Sequence, residues 1–225
     1  MPQFTPELQL QTLFVLNGAG RIVSTREPNP TAGPAFALIQ GRTTCAYAVH
    51  TRVPEELAGQ LVALARTEPP VQDFKDDPVH ANRYMSLLRG RVDSGPAFTF
   101  PEVVPAPVDI VGVTSLSQLE RHFHGWTADE LPERAPILAI VEAGYAVSVC
   151  FCARRSAVAA EAGLDTAAPF RGRGLGPRVT AAWAHAIRSA GRLPLYSTSW
   201  SNVASLAVAR KLGLEMCAGD WSLYE

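Results

Sequence analysis

Phe170-Arg-Gly-Arg-Gly-Leu-Gly-Pro-Arg178 is the stretch on which the reading of this chain turns. It lies between an expected strand, Ala157–Thr166, and a helical pattern in which Val179, Ala182, Trp183, Ala186 and Ile187 recur on one face. Glycines let a backbone approach a ligand closely and turn its N–H groups toward one point. The helix that follows adds unpaired N-terminal donors and the positive end of its dipole, a ready seat for phosphate. Pro177 sits in the first turn, where a missing N–H costs least. Arg171, Arg173 and Arg178 bring positive charge to the same place. The competing reading is an ordinary surface turn.

Other phosphate loops fit badly. A Walker A loop needs Gly-Lys followed by Ser or Thr, which this stretch lacks. A dinucleotide fingerprint needs a third small residue where Val179 stands, and an acid on the next strand.

The surroundings are those of a globular protein. Hydrophobic residues make up 47% of the 225 positions and charged ones 18%, far from the profile of disorder. The formal net charge is −1, so no global field draws nucleic acid or anionic lipid, and any anion site is local. The amino terminus has no basic stretch followed by an apolar core, and no apolar run reaches membrane-spanning length. Neither nucleic acid nor membrane is an expected partner, and the cytoplasm is the expected compartment. Cys45, Cys150, Cys152 and Cys217 are too irregular for a disulfide framework or zinc site. Cys150 and Cys152 alternate within an apolar run and read as small core residues.

Residues 92–108 carry Pro96, Pro101, Pro105 and Pro107 and resist both helix and central strand. The expected organisation is an N-terminal α/β region over 1–95, a proline-rich linker over 96–108 and a second domain over 109–225. In the first region, Thr12–Asn17 and Arg21–Ser24 suggest a hairpin across Gly18-Ala-Gly20. Ala35–Gln40 and Cys45–His50 read as strands, and helices are expected from Pro54 to about Arg66 and over Ala81–Leu88. In the second, Ser117–His124 reads as helical, and Ile137–Glu142 pairs with Tyr145–Ala153 across Ala143-Gly144. Leu193–Ser199 is a further strand. Asn202 caps a helix that ends at Leu212 with Gly213 beyond it, and Leu214–Met216 with Trp221–Tyr224 suggests a last hairpin.

The order of these pieces carries a resemblance. Arg171-x-x-Gly174-x-Gly176, the helix after it, the strand Leu193–Ser199 and Asn202-Val-Ala-Ser-Leu-Ala-Val-Ala-Arg-Lys-Leu-Gly213 are similar to consecutive motifs of the GNAT acetyltransferase superfamily. The likeness covers roughly residues 137 to 217. It implies an α/β fold with a mixed sheet, whose central parallel strands Ala157–Thr166 and Leu193–Ser199 splay apart to admit the pantetheine of an acyl-coenzyme A. It also implies backbone contacts to pantetheine from Leu164, Asp165 and Thr166. The diphosphate would lie on Arg171, Gly172, Arg173, Gly174, Leu175 and Gly176, and Asn202 would reach the pantetheine arm. The implied acyl donor is acetyl-CoA, the acceptor an amine of a small molecule or peptide, and a homodimer is admitted; no metal is expected.

Acyl transfer to nitrogen needs a neutral amine, and an alkylamine with a pKa near 10.4 is neutral only about 0.04% of the time at pH 7. Family members often place a glutamate on the strand before the loop, and Glu161 is the acid in the middle of that strand. The alternative for Glu161 is an ion pair with Arg154 or Arg155. The family commonly has a tyrosine seven residues after the asparagine to protonate the leaving thiolate; here Ala209 stands there. Tyr196, Ser199 and Tyr224 are unranked substitutes. His122, His124 and His185 read as surface residues, Trp126 and Trp200 as core or interface residues, and Asp73–Asp77 as an exposed connection. Three functions are therefore weighed: an N-acetyltransferase, a catalytically silent acyl-CoA sensor, and a structural domain without coenzyme.

Overall fold

A computed structural model describes residues 2–104 and 107–225 of the chain. Pro105, part of the expected linker, lies outside the described residues. The first element is helix α1 (Pro6–Leu13), which takes in Thr12 and Leu13 from the expected first strand, Thr12–Asn17. Its start follows a legible signal: the Thr5 hydroxyl accepts from the Leu8 N–H, Pro6 opens the first turn and Glu7 favours the positive end of the dipole. Strands β1 (Phe14–Leu16) and β2 (Ile22–Thr25) form the expected antiparallel hairpin. Asn17 builds its turn by accepting from the N–H groups of Ala19 and Arg21. Then come β3 (Phe36–Gly41), β4 (Cys45–Val49), α2 (Glu55–Ala65), α3 (Ala81–Leu87) and β5 (Arg91–Thr99).

β5 corrects the expectation that proline keeps 92–99 out of a strand. Pro96 gives up a donor yet keeps its carbonyl, which accepts from the Thr198 N–H at 3.3 Å, while Ser94 accepts from Trp200 at 3.3 Å. Gly95 allows the approach, since a Cβ there would overlap the Thr198 carbonyl.

Strand β6 (Val111–Gly112) follows, with a single 3-10 turn over Leu116–Gln118. The helix expected over Ser117–His124 goes no further than that turn and the bends after it. Gln118 folds back to accept from Thr114 and Ser115, and Gly125 takes φ +89. The short α4 (Glu130–Arg134) was not anticipated. Next are β7 (Leu138–Glu142), β8 (Tyr145–Arg155), β9 (Ala159–Thr166), α5 (Leu175–Ser189), β10 (Leu193–Ser197), α6 (Val203–Lys211) and β11 (Glu215–Tyr224). Ala143 and Gly144, both with positive φ, make the predicted tight turn between β7 and β8. Gly213, at φ +63, closes α6 with Leu214 N–H on the Ala209 carbonyl at 3.0 Å, the Schellman arrangement. β11 is one strand where a hairpin was expected. Gly219 does not turn; it pairs with Gln40, close under the Phe74 carbonyl.

The fold is α/β with mixed pairing and divides into two compact units. The N-terminal unit holds Gln3–Phe98 with Ser197–Val203 and Met216–Glu225; the C-terminal unit holds Thr99–Tyr196 and Ala204–Glu215. In the N-terminal unit the strand order is β4-β3-β11-β5. Every residue of β3 is buried: Phe36 and Leu38 face a core with Leu61, Tyr84 and Trp221, while Ala37 and Ile39 face one with Leu10, Leu13 and Phe14. Helices on both faces explain its near-continuous apolar sequence.

In the C-terminal unit the order is β10-β9-β8-β7-β6, with β10 parallel to β9 and the rest antiparallel. Helix α5 packs across β7, β8 and β9. Its buried face includes Val179, Trp183 and Ile187, as the periodicity predicts, and Trp183 is wholly buried. Cys150 and Cys152 are free and buried, as expected of core residues. Burial pushes both thiols up, that of Cys152 to about 11, so neither is a thiolate at neutral pH. Among the described residues, no helix is long and apolar enough to cross a membrane.

Candidate acyl-coenzyme A site

The site is a strand that loses one neighbour, followed by a glycine loop. β10 pairs with β9 at only three positions: Leu193 with Ala159, Pro194 with Ala160 and Leu195 with Glu161. β9 continues through Ala162–Thr166, paired there with Cys152 to Ser148 of β8 on its other side. From Ala162 onward β9 therefore has no β10 partner in the register, and its backbone on that side can take an amide ligand. Leu164, Asp165 and Thr166 all fall on this stretch.

A short 3-10 turn, Ala168–Phe170, leads into the loop. Gly172 and Gly174 take φ +78 and +75, a conformation that favours glycine, and a Cβ on either would meet nothing within 4 Å. Gly174 is the N-cap of α5, and the first turn of that helix carries no acidic residue. Arg171, Gly172 and Arg173 are exposed, Gly174 is half-buried, and Leu175 and Gly176 are buried. Gly176 serves packing: a Cβ there would stand 3.4 Å from Leu164 and 3.7 Å from Val208. Space above the loop, N-terminal donors and nearby cations together fit a diphosphate.

The arginines already have partners. Arg171 Nε donates to the Thr166 carbonyl at 2.9 Å, tying the loop to the end of β9, with Asp165 4.0 Å from its Nη2. Arg173 holds Glu142, the last residue of β7, through Nη2–Oε1 at 2.6 Å and Nη1–Oε2 at 3.4 Å, and lies over the Phe170 ring. Arg178 turns to the Val108 carbonyl at 3.4 Å. Glu142 was missed in the sequence, because 31 residues separate it from Arg173 and no local pattern links them.

Glu161 is 2% exposed and takes the ion-pair geometry: Arg154 Nη1 donates to its Oε2 at 2.8 Å. It occupies the last position at which β9 and β10 pair. Tyr196 follows directly on β10; its hydroxyl donates to the Ser205 carbonyl of α6 at 3.4 Å, and burial raises its pKa. Ala209, where the family has tyrosine, is a buried residue of α6. Asn202 precedes α6 within the N-terminal unit, its N–H on the Ser199 carbonyl, and so is not among the residues this unit brings together. Ser199 and Tyr224 also belong to that unit; Ser199 contacts Ser201, and Arg91 lies over the Tyr224 ring. Trp200 is covered there by Lys75.

Other expectations resolve locally. The His122 ring meets Phe170 edge-on at 5.4 Å, and Trp126 meets Phe151 at 4.8 Å, with Arg134 over both Trp126 and Phe151. His185 is half-buried, its Nε2 2.9 Å from the Val104 carbonyl. Among the described residues, no group of His, Cys, Asp or Glu side chains could hold a metal ion.

Comparison with known proteins bears on the same segment. Residues 142–222 match the family model of FR47-like proteins. Among solved structures, a putative GNAT acetyltransferase from Novosphingobium aromaticivorans is 19% identical over 59% of this chain and 64% of its own, with a TM-score of 0.49. The alignment thus spans just under two thirds of that protein. A GNAT-family acetyltransferase from Colwellia psychrerythraea is 13% identical over 79% of this chain and 76% of its own, with a TM-score of 0.49. A GCN5-related N-acetyltransferase-like protein from Streptococcus suis is 17% identical over 84% of each chain, with a TM-score of 0.45. No curated protein matches. The split strand pair, the open glycine loop and α5 all lie within residues 142–222, the segment that is similar to FR47-like proteins.

Proposed function

We propose that the C-terminal unit binds acetyl-CoA and transfers its acetyl group to the amine of a small molecule or peptide. One observation carries this: β9 and β10 stop pairing after Glu161 and Leu195, immediately ahead of an open glycine loop at an acid-free helix N-terminus. The FR47-like match over 142–222 supports it.

In this reading the backbone of Leu164, Asp165 and Thr166 binds the pantetheine amides. Gly172, Gly174 and Leu175 turn N–H groups toward the diphosphate, Arg171 and Arg173 neutralise it, and Gly176 lets α5 start close against β9. The thioester, when bound, supplies an activated acyl carbon. Glu161 accepts the proton of the attacking amine, and Tyr196, one residue past the last β9–β10 pair and protonated because burial raises its pKa, donates its proton to the departing thiolate. The acceptor's amine and the cytoplasmic setting belong to the same proposal.

The test is release of free thiol from acetyl-CoA with a panel of amines. Glu161→Gln is expected to lower turnover by about 10²–10⁴-fold while coenzyme affinity holds. Unchanged turnover at every pH would end the base assignment and leave the ion pair with Arg154 as the residue's role. Ala209 favours a second reading, an acyl-CoA-binding sensor without catalysis. Tight coenzyme binding with no thiol release from any amine would select it.

A further inference from the structure

The loop that would receive the diphosphate is already engaged by a carboxylate of the chain itself. Glu142 closes β7, one residue before the Ala143-Gly144 turn, and that hairpin end brings it to the glycine loop. Its two oxygens face the two terminal nitrogens of Arg173, at 2.6 and 3.4 Å, in the forked geometry that guanidinium also offers to phosphate. The pair is half in solvent, with 49% of the Arg173 side chain and 40% of that of Glu142 exposed. Phe170 backs the same guanidinium at 5.4 Å, so Arg173 is held at the loop whichever anion it binds.

We propose that Glu142 is an affinity-setting residue, an internal competitor that occupies Arg173 until the diphosphate of the coenzyme displaces it. This rests on the acyl-coenzyme A reading above. One guanidinium fork cannot serve a carboxylate and a phosphate bidentately at once, so part of the binding free energy is spent on breaking the resident pair. Removing the carboxylate charge should release that share. Exposed pairs of this kind are weak, which sets the scale of the effect.

The experiment measures the affinity of the full chain for coenzyme A by calorimetry at low ionic strength, for wild type, Glu142→Gln, Arg173→Ala and the double variant. Glu142→Gln is expected to bind about two- to fivefold more tightly. Arg173→Ala is expected to bind more weakly, and adding Glu142→Gln to it should change nothing further, because the competitor acts only through that guanidinium. Glu142 is exposed enough that the glutamine variant keeps the fold, which circular dichroism checks. Weaker or unchanged binding by Glu142→Gln overturns the proposal, since it would make Glu142 a support for the loop or a bystander. Equal tightening with and without Arg173 also overturns it, leaving only a general charge effect. If wild type and variants all fail to bind coenzyme A, the acyl-coenzyme A reading falls and takes the competitor with it; binding by wild type separates the two failures.

Discussion

Two strands that run through a short connection into a helix, β9 into α5 and β4 into α2, differ in how their helix N-termini meet an anion. In the C-terminal unit β9 leads through Arg171–Gly174 into α5; in the N-terminal unit β4 leads through residues 50–54 into α2. Both helices bury an apolar face, Val179, Trp183 and Ile187 in one and Ala58, Leu61, Leu64 and Ala65 in the other. Their N-termini differ. That of α2 follows Pro54 and carries Glu55 and Glu56 in its first turn, so its dipole is already answered by the chain's own carboxylates. Arg21 reinforces this end, donating to the carbonyls of His50 and Val53 and pairing with Glu55. That of α5 has an αL glycine at its cap, no acid in its first turn and open space above the loop. Topology makes a helix N-terminus available; local charge and glycine decide whether a ligand can use it.

The contrast can be broken most severely at Gly174. Gly174→Asp places a side chain at φ +75 and a negative charge where the phosphate would lie. Coenzyme A at a hundredfold excess over its Kd should stabilise wild type by about 2.7 kcal/mol, a rise in melting temperature of about 5–10 °C. In the variant that rise is expected to vanish, with the unliganded fold itself losing about 1 kcal/mol. A full shift in Gly174→Asp would place the coenzyme elsewhere.

A smaller effect is expected at Arg171, which both supplies charge and ties the loop to the Thr166 carbonyl. Arg171→Ala should weaken coenzyme binding by about 1.5–3 kcal/mol, read by calorimetry as a loss of about 10- to 150-fold. An unaltered affinity would reduce Arg171 to a loop tether.

The smallest effect sharpens the comparison from the other side. Replacing Glu55 and Glu56 by glutamine should cost stability by about 0.3–1 kcal/mol each, seen in chemical denaturation, and should create no coenzyme site at α2. Binding gained there would mean that charge alone, without glycine, suffices.

How much of this was legible follows from the distance over which each feature is encoded. Ala143-Gly144, the α5 face and the Gly213 stop were readable because each depends on a few neighbouring residues. Thr5-Pro6-Glu7 was equally local and announces α1, yet the apolar run after it reads as readily as a strand. The proline-rich 92–108 segment misled at its start, since Pro96 keeps a carbonyl that Thr198, about a hundred residues away, can use. Gly219 misled for the same reason: beneath the Phe74 carbonyl it is a point of close approach, not a turn.

By itself the sequence determined where a backbone could turn its amides outward, which helix faces are apolar, and that α5 begins without an acid. Those properties reside in φ preferences, side-chain periodicity and charge within a few residues. Only the tertiary structure decided at which residue β9 loses β10, which of Arg154 and Arg155 holds Glu161, and that Glu142 sits on Arg173. Each of these is a pairing between residues that chain folding alone brings together, so no local pattern could announce it.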